Sequence, residues 1–191
     1  MREFERAAKE YEALGDDDEL ANTLSAIGSI QSEQGNYEAA AKTLVRVGGL
    51  RGNADSLLRI AEAFYRQTDY AEALRYYERS LDYASKQKNA AQQIGALTGA
   101  ANCYYYQRNY DQALAFYERS LSISESLNDK SGVATQLQNI GNIYRAVGDY
   151  ALALQSYFKS LAAAEVANTK ATVANSQMRR GAAADCFPFT L

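Results

Sequence analysis

An Asn-Tyr or Asp-Tyr pair recurs four times along this chain, each time with an alanine three residues after the tyrosine. The four tyrosines are Tyr37, Tyr70, Tyr110 and Tyr150. The last three are spaced 40 residues apart, and the first precedes the second by 33 residues. Self-similarity at a fixed interval of this size restricts the chain to repeat architectures, in which each unit buries its apolar face against the next unit.

Apolar and small residues flank each tyrosine at steps of three and four residues, which is the periodicity of an amphipathic helix. In the fourth copy the upstream set is Leu137, Ile140, Gly141 and Tyr144, and the downstream set is Ala153, Tyr157 and Leu161. Gly, Asn or Asp residues separate the two sets and favour a short turn. Each copy is therefore predicted to be a pair of helices joined by a turn, with the pattern residues packed between the helices.

These positions resemble the tetratricopeptide repeat, which has a large residue, Leu-Gly and Tyr in its first helix and Ala, Phe or Tyr, and Ala in its second. The third and fourth copies are similar to the long, 40-residue repeats of kinesin light chain and of bacterial signalling arrays, including those related to response-regulator phosphatases. The resemblance implies an all-α fold, a right-handed α-α superhelix built from antiparallel helix hairpins.

The resemblance also implies the organisation of the chain. Phe4, Ala7 and Tyr11 repeat the second-helix spacing, and Gly181 falls 40 residues after Gly141. We expect a half-repeat over residues 1–15, four repeats over 20–52, 53–90, 91–130 and 131–170, the first helix of a partial fifth repeat over 171–185, and a tail over 186–191. A chain that opens and closes within a repeat suggests a piece of a longer array.

Composition argues against most catalytic and metal-binding classes. The chain has no histidine, and Cys103 and Cys186 form no CxxC motif, so catalytic triads, imidazole metal sites and a disulfide framework are not indicated. Twenty basic and 23 acidic residues give a net charge of −3, which disfavours nucleic acid as a partner. No apolar run is long enough to span a membrane. We expect a cytoplasmic protein that is not an enzyme and that needs no cofactor, metal or membrane.

Two further motifs have structural explanations. The acidic run Asp16 to Glu19 lacks the glycine and the distant glutamate of a calcium loop, and it suits the start of a helix. Gly48, Gly49 and Gly52 are not followed by Lys-Ser/Thr, so they are interpreted as a helix exit rather than as a phosphate loop.

In the tetratricopeptide family, partners bind in a concave groove lined by the first helices. Carried over by position, the resemblance implies these partner-binding residues: Glu62, Tyr65, Arg66, Thr98, Asn102, Tyr105, Tyr106, Gln138, Asn142 and Arg145. Asn102 and Asn142 occupy the position at which peptide-binding members hold a peptide backbone, and tyrosine and arginine commonly dominate binding energy. Ser25 and Thr98 stand where chaperone-binding members have basic residues, so that carboxylate clamp is not expected.

The sequence thus predicts a non-catalytic scaffold that binds a peptide or a helix of a partner protein in its groove. Three alternatives remain open at this point. The chain could self-associate as a homodimer through its uncapped ends, it could be the regulatory segment of a larger signalling protein, or its Phe187 to Leu191 tail could dock in a groove.

Overall fold

The computed structural model describes residues 1–50 and 52–167, and these residues form nine helices. The helices are α1 (Arg2–Leu14), α2 (Asp17–Glu33), α3 (Tyr37–Leu50), α4 (Ala54–Arg66), α5 (Tyr70–Lys86), α6 (Ala90–Tyr106), α7 (Tyr110–Ser126), α8 (Lys130–Val147) and α9 (Tyr150–Ala167). The prediction of an all-α chain is confirmed for this part of the sequence. The predicted fifth-repeat helix over 171–185 and the tail over 186–191 lie outside the described residues.

Each helix from α2 to α9 starts behind an Asp or Asn that caps it. The side-chain oxygen accepts a hydrogen bond from the backbone N–H three residues later, at 2.9 to 3.4 Å, and so satisfies one of the unpaired donors of the first turn. The capping residues are Asp16, Asn36, Asn53, Asp69, Asn89, Asn109, Asp129 and Asp149. The acidic run that begins at Asp16 is therefore the start of α2, as expected.

Several turns between helices need one residue in the left-handed region of backbone conformation. Gly148 supplies it before α9, with φ of 87°. Thr68 and Arg108 stand at the same place before α5 and α7, with φ of 63° and 60°. A side chain in this conformation is unfavourable, so these turns close at a conformational cost that glycine avoids.

The chain divides into two compact bodies, residues 1–103 and the residues from Tyr104 onward. In the N-terminal body, each helix from α1 to α4 packs against the next one along the chain. Gly28 allows α2 to approach α3 closely, because a Cβ at residue 28 would lie 2.7 Å from Leu44 Cγ. Gly48 and Gly49 lie in the last turn of α3, which ends at Leu50, and Gly52 follows it, so the predicted helix exit is confirmed at this position.

In the C-terminal body, α8 packs against both α7 and α9. The ring of Tyr157 is fully buried over Gly141, where a Cβ would lie 2.5 Å from Tyr157 Cε1. Ser160 Oγ donates a hydrogen bond to the Ala134 carbonyl at 2.7 Å, which links the C-terminal half of α9 to the N-terminal half of α8. The small residues of the repeat pattern thus set how closely paired helices approach.

Candidate functional site

Three of the predicted partner-binding residues follow one another along one side of α8. Gln138, Asn142 and Arg145 are four and three residues apart, which places them on one helix face. Gln138 and Asn142 are half-buried and Arg145 is exposed. Tyr157 of α9 donates a hydrogen bond from its hydroxyl to Asn142 Oδ1 at 3.0 Å. The orientation of the Asn142 amide is therefore fixed by a side chain from the neighbouring helix.

Glu62 on α4 has the same repeat position as Asn142 and is held in the same way. Tyr77 Oη donates to Glu62 Oε2 at 3.1 Å, and Arg66 Nε donates to Glu62 Oε1 at 2.7 Å. The hydrogen bond from Arg66 to Glu62 raises the pKa of the Arg66 guanidinium above its ordinary value. Burial of the Tyr77 phenol, followed by the nearby Glu62 carboxylate, raises the pKa of Tyr77 far above its ordinary value of 10.0, so it donates as a neutral hydroxyl.

Two of the predicted tyrosines are packed against the tyrosines that begin the next helix. Tyr65 lies 5.9 Å from Tyr70 and Tyr105 lies 5.7 Å from Tyr110, measured between ring centroids. Tyr106 contacts Tyr105 edge-on at 5.5 Å but remains 57% exposed. Tyr106 is therefore the more accessible of the two adjacent tyrosines.

The predicted residues are divided between the two bodies. Glu62, Tyr65, Arg66, Thr98 and Asn102 belong to the N-terminal body, and Tyr105, Tyr106, Gln138, Asn142 and Arg145 belong to the C-terminal body. Thr98 and Asn102 are half-buried on α6. The assignment of these ten residues to partner binding stays a prediction.

The sequence interpretation treated Tyr77 and Tyr157 as packing residues and did not name the partners of their hydroxyl groups. Both rings are buried as predicted, yet each hydroxyl reaches a predicted partner-binding side chain 15 residues earlier in the chain. Aligning the repeats of the chain with one another could have suggested these contacts, because the buried tyrosine follows the predicted partner-binding residue at a constant offset in each repeat. Periodicity alone does not show that the two meet.

Neither the surface cleft nor the buried thiol found among the described residues involves the ten predicted partner-binding residues. A surface cleft of about 280 Å³ in the N-terminal body is lined by none of the ten predicted residues; its lining residues are Glu38, Ala41, Lys42, Val45, Phe64 and Gln67. In residues 1–50 and 52–167, no three His, Cys, Asp or Glu side chains are grouped to hold a metal ion. Burial raises the pKa of the Cys103 thiol to about 12, which keeps it protonated at neutral pH.

The helices of the described part are also too short or too polar to cross a bilayer.

Comparison with known proteins decides the family. The tetratricopeptide repeat model matches residues 52–126 and again residues 92–166, which together make up more than half of the chain. The chain belongs to the tetratricopeptide repeat family. No curated protein matches the sequence significantly.

Solved tetratricopeptide structures share this fold at low sequence identity. BtubC (BKLC) from P. vanneervenii is 16% identical with a TM-score of 0.79, over 95% of this chain and 80% of that one. The apo form of RapI is also 16% identical with a TM-score of 0.79, over 94% of this chain and 53% of RapI. A Rap protein complexed with Competence and Sporulation Factor is 18% identical with a TM-score of 0.67, over 81% of this chain and 46% of that protein.

At these identities the likeness shows the fold alone, and this chain spans about half the length of the two Rap proteins. The all-α tetratricopeptide fold predicted from the sequence is thereby confirmed. The particular likeness of its long repeats to kinesin light chain stays a prediction, as do the limits assigned to the individual repeats.

Proposed function

We propose that this tetratricopeptide chain is a non-catalytic scaffold that binds a peptide or a helix of a partner protein along the first helices of its repeats. The observation that carries the proposal is the support given to the equivalent residues Asn142 and Glu62. Each accepts a hydrogen bond from a buried tyrosine of the next helix. Side chains held in this way lose little conformational freedom when a partner binds, which favours affinity.

The chemistry of the side chains beside them suits a polypeptide partner. Amides such as Gln138 and Asn142 both donate and accept hydrogen bonds, as peptide groups require. Tyr106 and Arg145 are both exposed. Tyrosine and arginine are among the residue types that contribute most binding energy in protein interfaces. A Rap protein with the same fold was crystallised in complex with Competence and Sporulation Factor, which supports a binding role for this chain.

Calorimetric titration of a purified partner tests the proposal, after the partner has been identified by affinity capture and mass spectrometry. The Asn102→Ala/Arg145→Ala double variant should bind at least about tenfold more weakly than the unmodified chain. Gln155→Ala serves as the control, because Gln155 is exposed on α9 and lies off the predicted stripe. Unchanged affinity of the double variant, with both proteins folded, would exclude these first helices as the binding surface.

Self-association is a second candidate, and α1 provides a specific reason for it. Ala7 and Tyr11 are half-buried, whereas the alanines and the large side chains at the equivalent positions of α3, α5, α7 and α9 are buried. In α3, α5 and α9 the first helix of the same repeat packs against the helix that carries these positions. A second chain packed over α1 would cover Ala7 and Tyr11 in a similar way.

Light scattering over a dilution series tests this second candidate. A dimer should form at high concentration and should be lost in Ala7→Arg, which places a charge on the uncovered face, but not in Lys9→Gln, a change at an exposed residue of the same helix. A single monomeric mass at every concentration would rule self-association out.

A further inference from the structure

The helix α3 differs from the other second helices of the repeats at two positions. Four residues after the tyrosine that begins the helix, α5, α7 and α9 have a leucine, whereas α3 has Ala41. Eight residues after that tyrosine, α5 and α7 have an exposed glutamate, whereas α3 has Val45, which is 39% exposed. In α3 a leucine side chain is therefore replaced by a methyl group, and an exposed apolar side chain lies one turn further on.

Both residues line the surface cleft of about 280 Å³ in the N-terminal body. A further wall of the cleft is Phe64, near the end of α4. The Phe64 ring lies flat against the ring of Tyr76 on α5, with 5.5 Å between the centroids and 9° between the planes. Because this stacking holds the aromatic wall in place, a ligand that binds in the cleft does not have to order it.

The polar groups of the cleft favour an uncharged ligand that carries a hydrogen-bond donor. Lys42 Nζ donates to Glu38 Oε1 at 2.6 Å, so these two lining charges are paired with each other. Gln67 Nε2 donates to the carbonyls of Tyr37 and Ala63 at 3.0 and 3.3 Å, which uses both of its N–H groups. Within residues 1–50 and 52–167, no group donates to the amide oxygen, Gln67 Oε1.

We propose that this cleft binds a leucine side chain of a partner polypeptide between Ala41, Val45 and Phe64, and that Gln67 Oε1 accepts a hydrogen bond from the backbone N–H of that leucine. Leucine is the side chain that the other second helices have where α3 has Ala41. A charged side chain would lose hydration without meeting an unpaired opposite charge. The site goes beyond the proposed function, because it lies in the N-terminal body and contains none of the ten predicted partner-binding residues.

The test is an NMR titration of the full chain, labelled with ¹⁵N, against blocked pentapeptides that differ in one residue. The probes are acetyl-Ala-Ala-Leu-Ala-Ala-amide and the peptides with Ala or Asp in place of Leu. The backbone signals of Ala41 and Val45 and the side-chain amide signals of Gln67 should shift with the Leu peptide. Its affinity should exceed that of the Ala peptide by about tenfold. The side-chain amide signals of Gln155, which is exposed on α9, should not shift.

Two variants of the chain remove the cleft in different ways. Ala41→Leu introduces the leucine of the other repeats and fills the space, and it should weaken binding of the Leu peptide at least about tenfold. Val45→Glu introduces the glutamate of α5 and α7 at an exposed position, and it should weaken binding to a similar extent without disturbing the core. Gln155→Ala is the control and should bind as the unmodified chain does. Circular dichroism checks that each variant is folded.

A modified peptide tests the hydrogen bond to Gln67. N-methylation of the leucine removes its backbone N–H and should weaken binding by roughly threefold or more. N-methylation of the last alanine is the matched control and should leave the affinity unchanged. Equal affinity of the two methylated peptides would overturn the role of Gln67.

The remaining outcomes would overturn the site itself. Equal binding of the Leu and Ala peptides would exclude a leucine pocket, and tighter binding of the Asp peptide would exclude an uncharged ligand. Shifts at Gln155 as large as those at Gln67 would indicate non-specific association. No shift with any peptide at millimolar concentration, or unchanged affinity in folded Val45→Glu, would also contradict the proposal. The Asn102→Ala/Arg145→Ala titration tests the proposed function on other residues, so a failure of one proposal does not imply a failure of the other.

Discussion

Tyr157 of α9 donates a hydrogen bond to Asn142 of α8 over 3.0 Å, and the contact exists because the residue before Asn142 has no side chain. A Cβ at Gly141 would lie 2.5 Å from Tyr157 Cε1, which is closer than Cβ atoms approach non-bonded neighbours in real proteins. The glycine therefore lets the tyrosine ring lie flat enough against α8 for its hydroxyl to reach the amide. The Tyr157 side chain therefore both packs α9 against α8 and orients the candidate binding residue Asn142.

Gly141→Ala is expected to destabilise the chain, because the added methyl group must displace the buried Tyr157 ring or separate α8 from α9. Overpacking of this kind costs about 1 to 3 kcal/mol. Urea denaturation of the two proteins measures the difference. Gly49→Ala is the matched control, since a Cβ at residue 49 meets nothing within 4 Å and alanine favours a helix by up to about 1 kcal/mol. Similar losses in both variants would contradict the packing explanation.

Ser124→Ala is expected to stabilise the chain by about 1 kcal/mol. Ser124 Oγ is buried on α7 and has no hydrogen-bond partner in the described structure, so its desolvation is not compensated. The equivalent residues of α5 and α9 are already alanines, Ala84 and Ala164, and both are fully buried. Thermal melting followed by circular dichroism measures the change.

Ser160→Ala provides the contrast with Ser124→Ala. Ser160 Oγ donates to the Ala134 carbonyl at 2.7 Å, so its removal should cost about 1 kcal/mol. If both variants change the melting temperature in the same direction, the orphaned hydroxyl at Ser124 does not have the assigned effect.

Thr68→Gly is expected to stabilise the chain by about 0.5 to 1 kcal/mol. The turn holds this β-branched residue at φ of 63°, where an L side chain costs about 1 to 2 kcal/mol, and the greater freedom of glycine in the unfolded chain offsets part of the gain. Guanidinium denaturation measures the effect. Gly148→Ala, at φ of 87° in the corresponding turn, should be destabilised by about 1 kcal/mol. A loss of stability in Thr68→Gly would refute the strain at this turn.

Alkaline pH should destabilise the fold through two buried acids. Burial raises the pKa of Cys103 from 9.0 to about 12, and burial and Glu62 raise the pKa of Tyr77 above 10.0. The stability due to Cys103 is therefore complete below about pH 9 and is lost as pH rises from 9 through 12. The loss from Tyr77 begins above pH 10. Each group contributes a slope of about 1.4 kcal/mol per pH unit in its range.

Urea midpoints from pH 8 to 11 measure this dependence. Cys103→Ala should show a shallower loss of stability above pH 9 than the unmodified chain. Parallel curves for the two proteins would show that the buried thiol does not contribute.

The helices and their starts could be predicted from the sequence because their causes are local. Tyr37, Tyr70, Tyr110 and Tyr150 each begin a helix in the structure, and the Asn or Asp before each one caps it. Capping involves residues three positions apart, which a sequence displays directly. The end of α3 has a similar origin, because Gly48, Gly49 and Gly52 mark the helix exit locally.

The candidate site was only partly predictable. The register of Glu62, Asn142 and Arg145 follows from the repeat, but the state of each side chain does not. Glu62 is paired with Arg66 and accepts a hydrogen bond from Tyr77, whereas the equivalent residue of α8 is an uncharged amide, Asn142, which accepts a hydrogen bond from Tyr157. Equivalent positions in a repeat share a backbone environment and differ in the charges around them.

By itself, the amino-acid order determined that this chain is a series of paired helices of the tetratricopeptide family, that a turn precedes each of the four repeated tyrosines, and which small and large residues pack between the helices. Only the tertiary structure decided that Tyr157 fixes the Asn142 amide, that Ser124 is buried without a partner, and that Tyr106 rather than Tyr105 is exposed. The reason is physical. Helix periodicity and capping depend on residues within one turn, whereas a hydrogen bond between helices depends on their separation and rotation, which all the packed side chains set together.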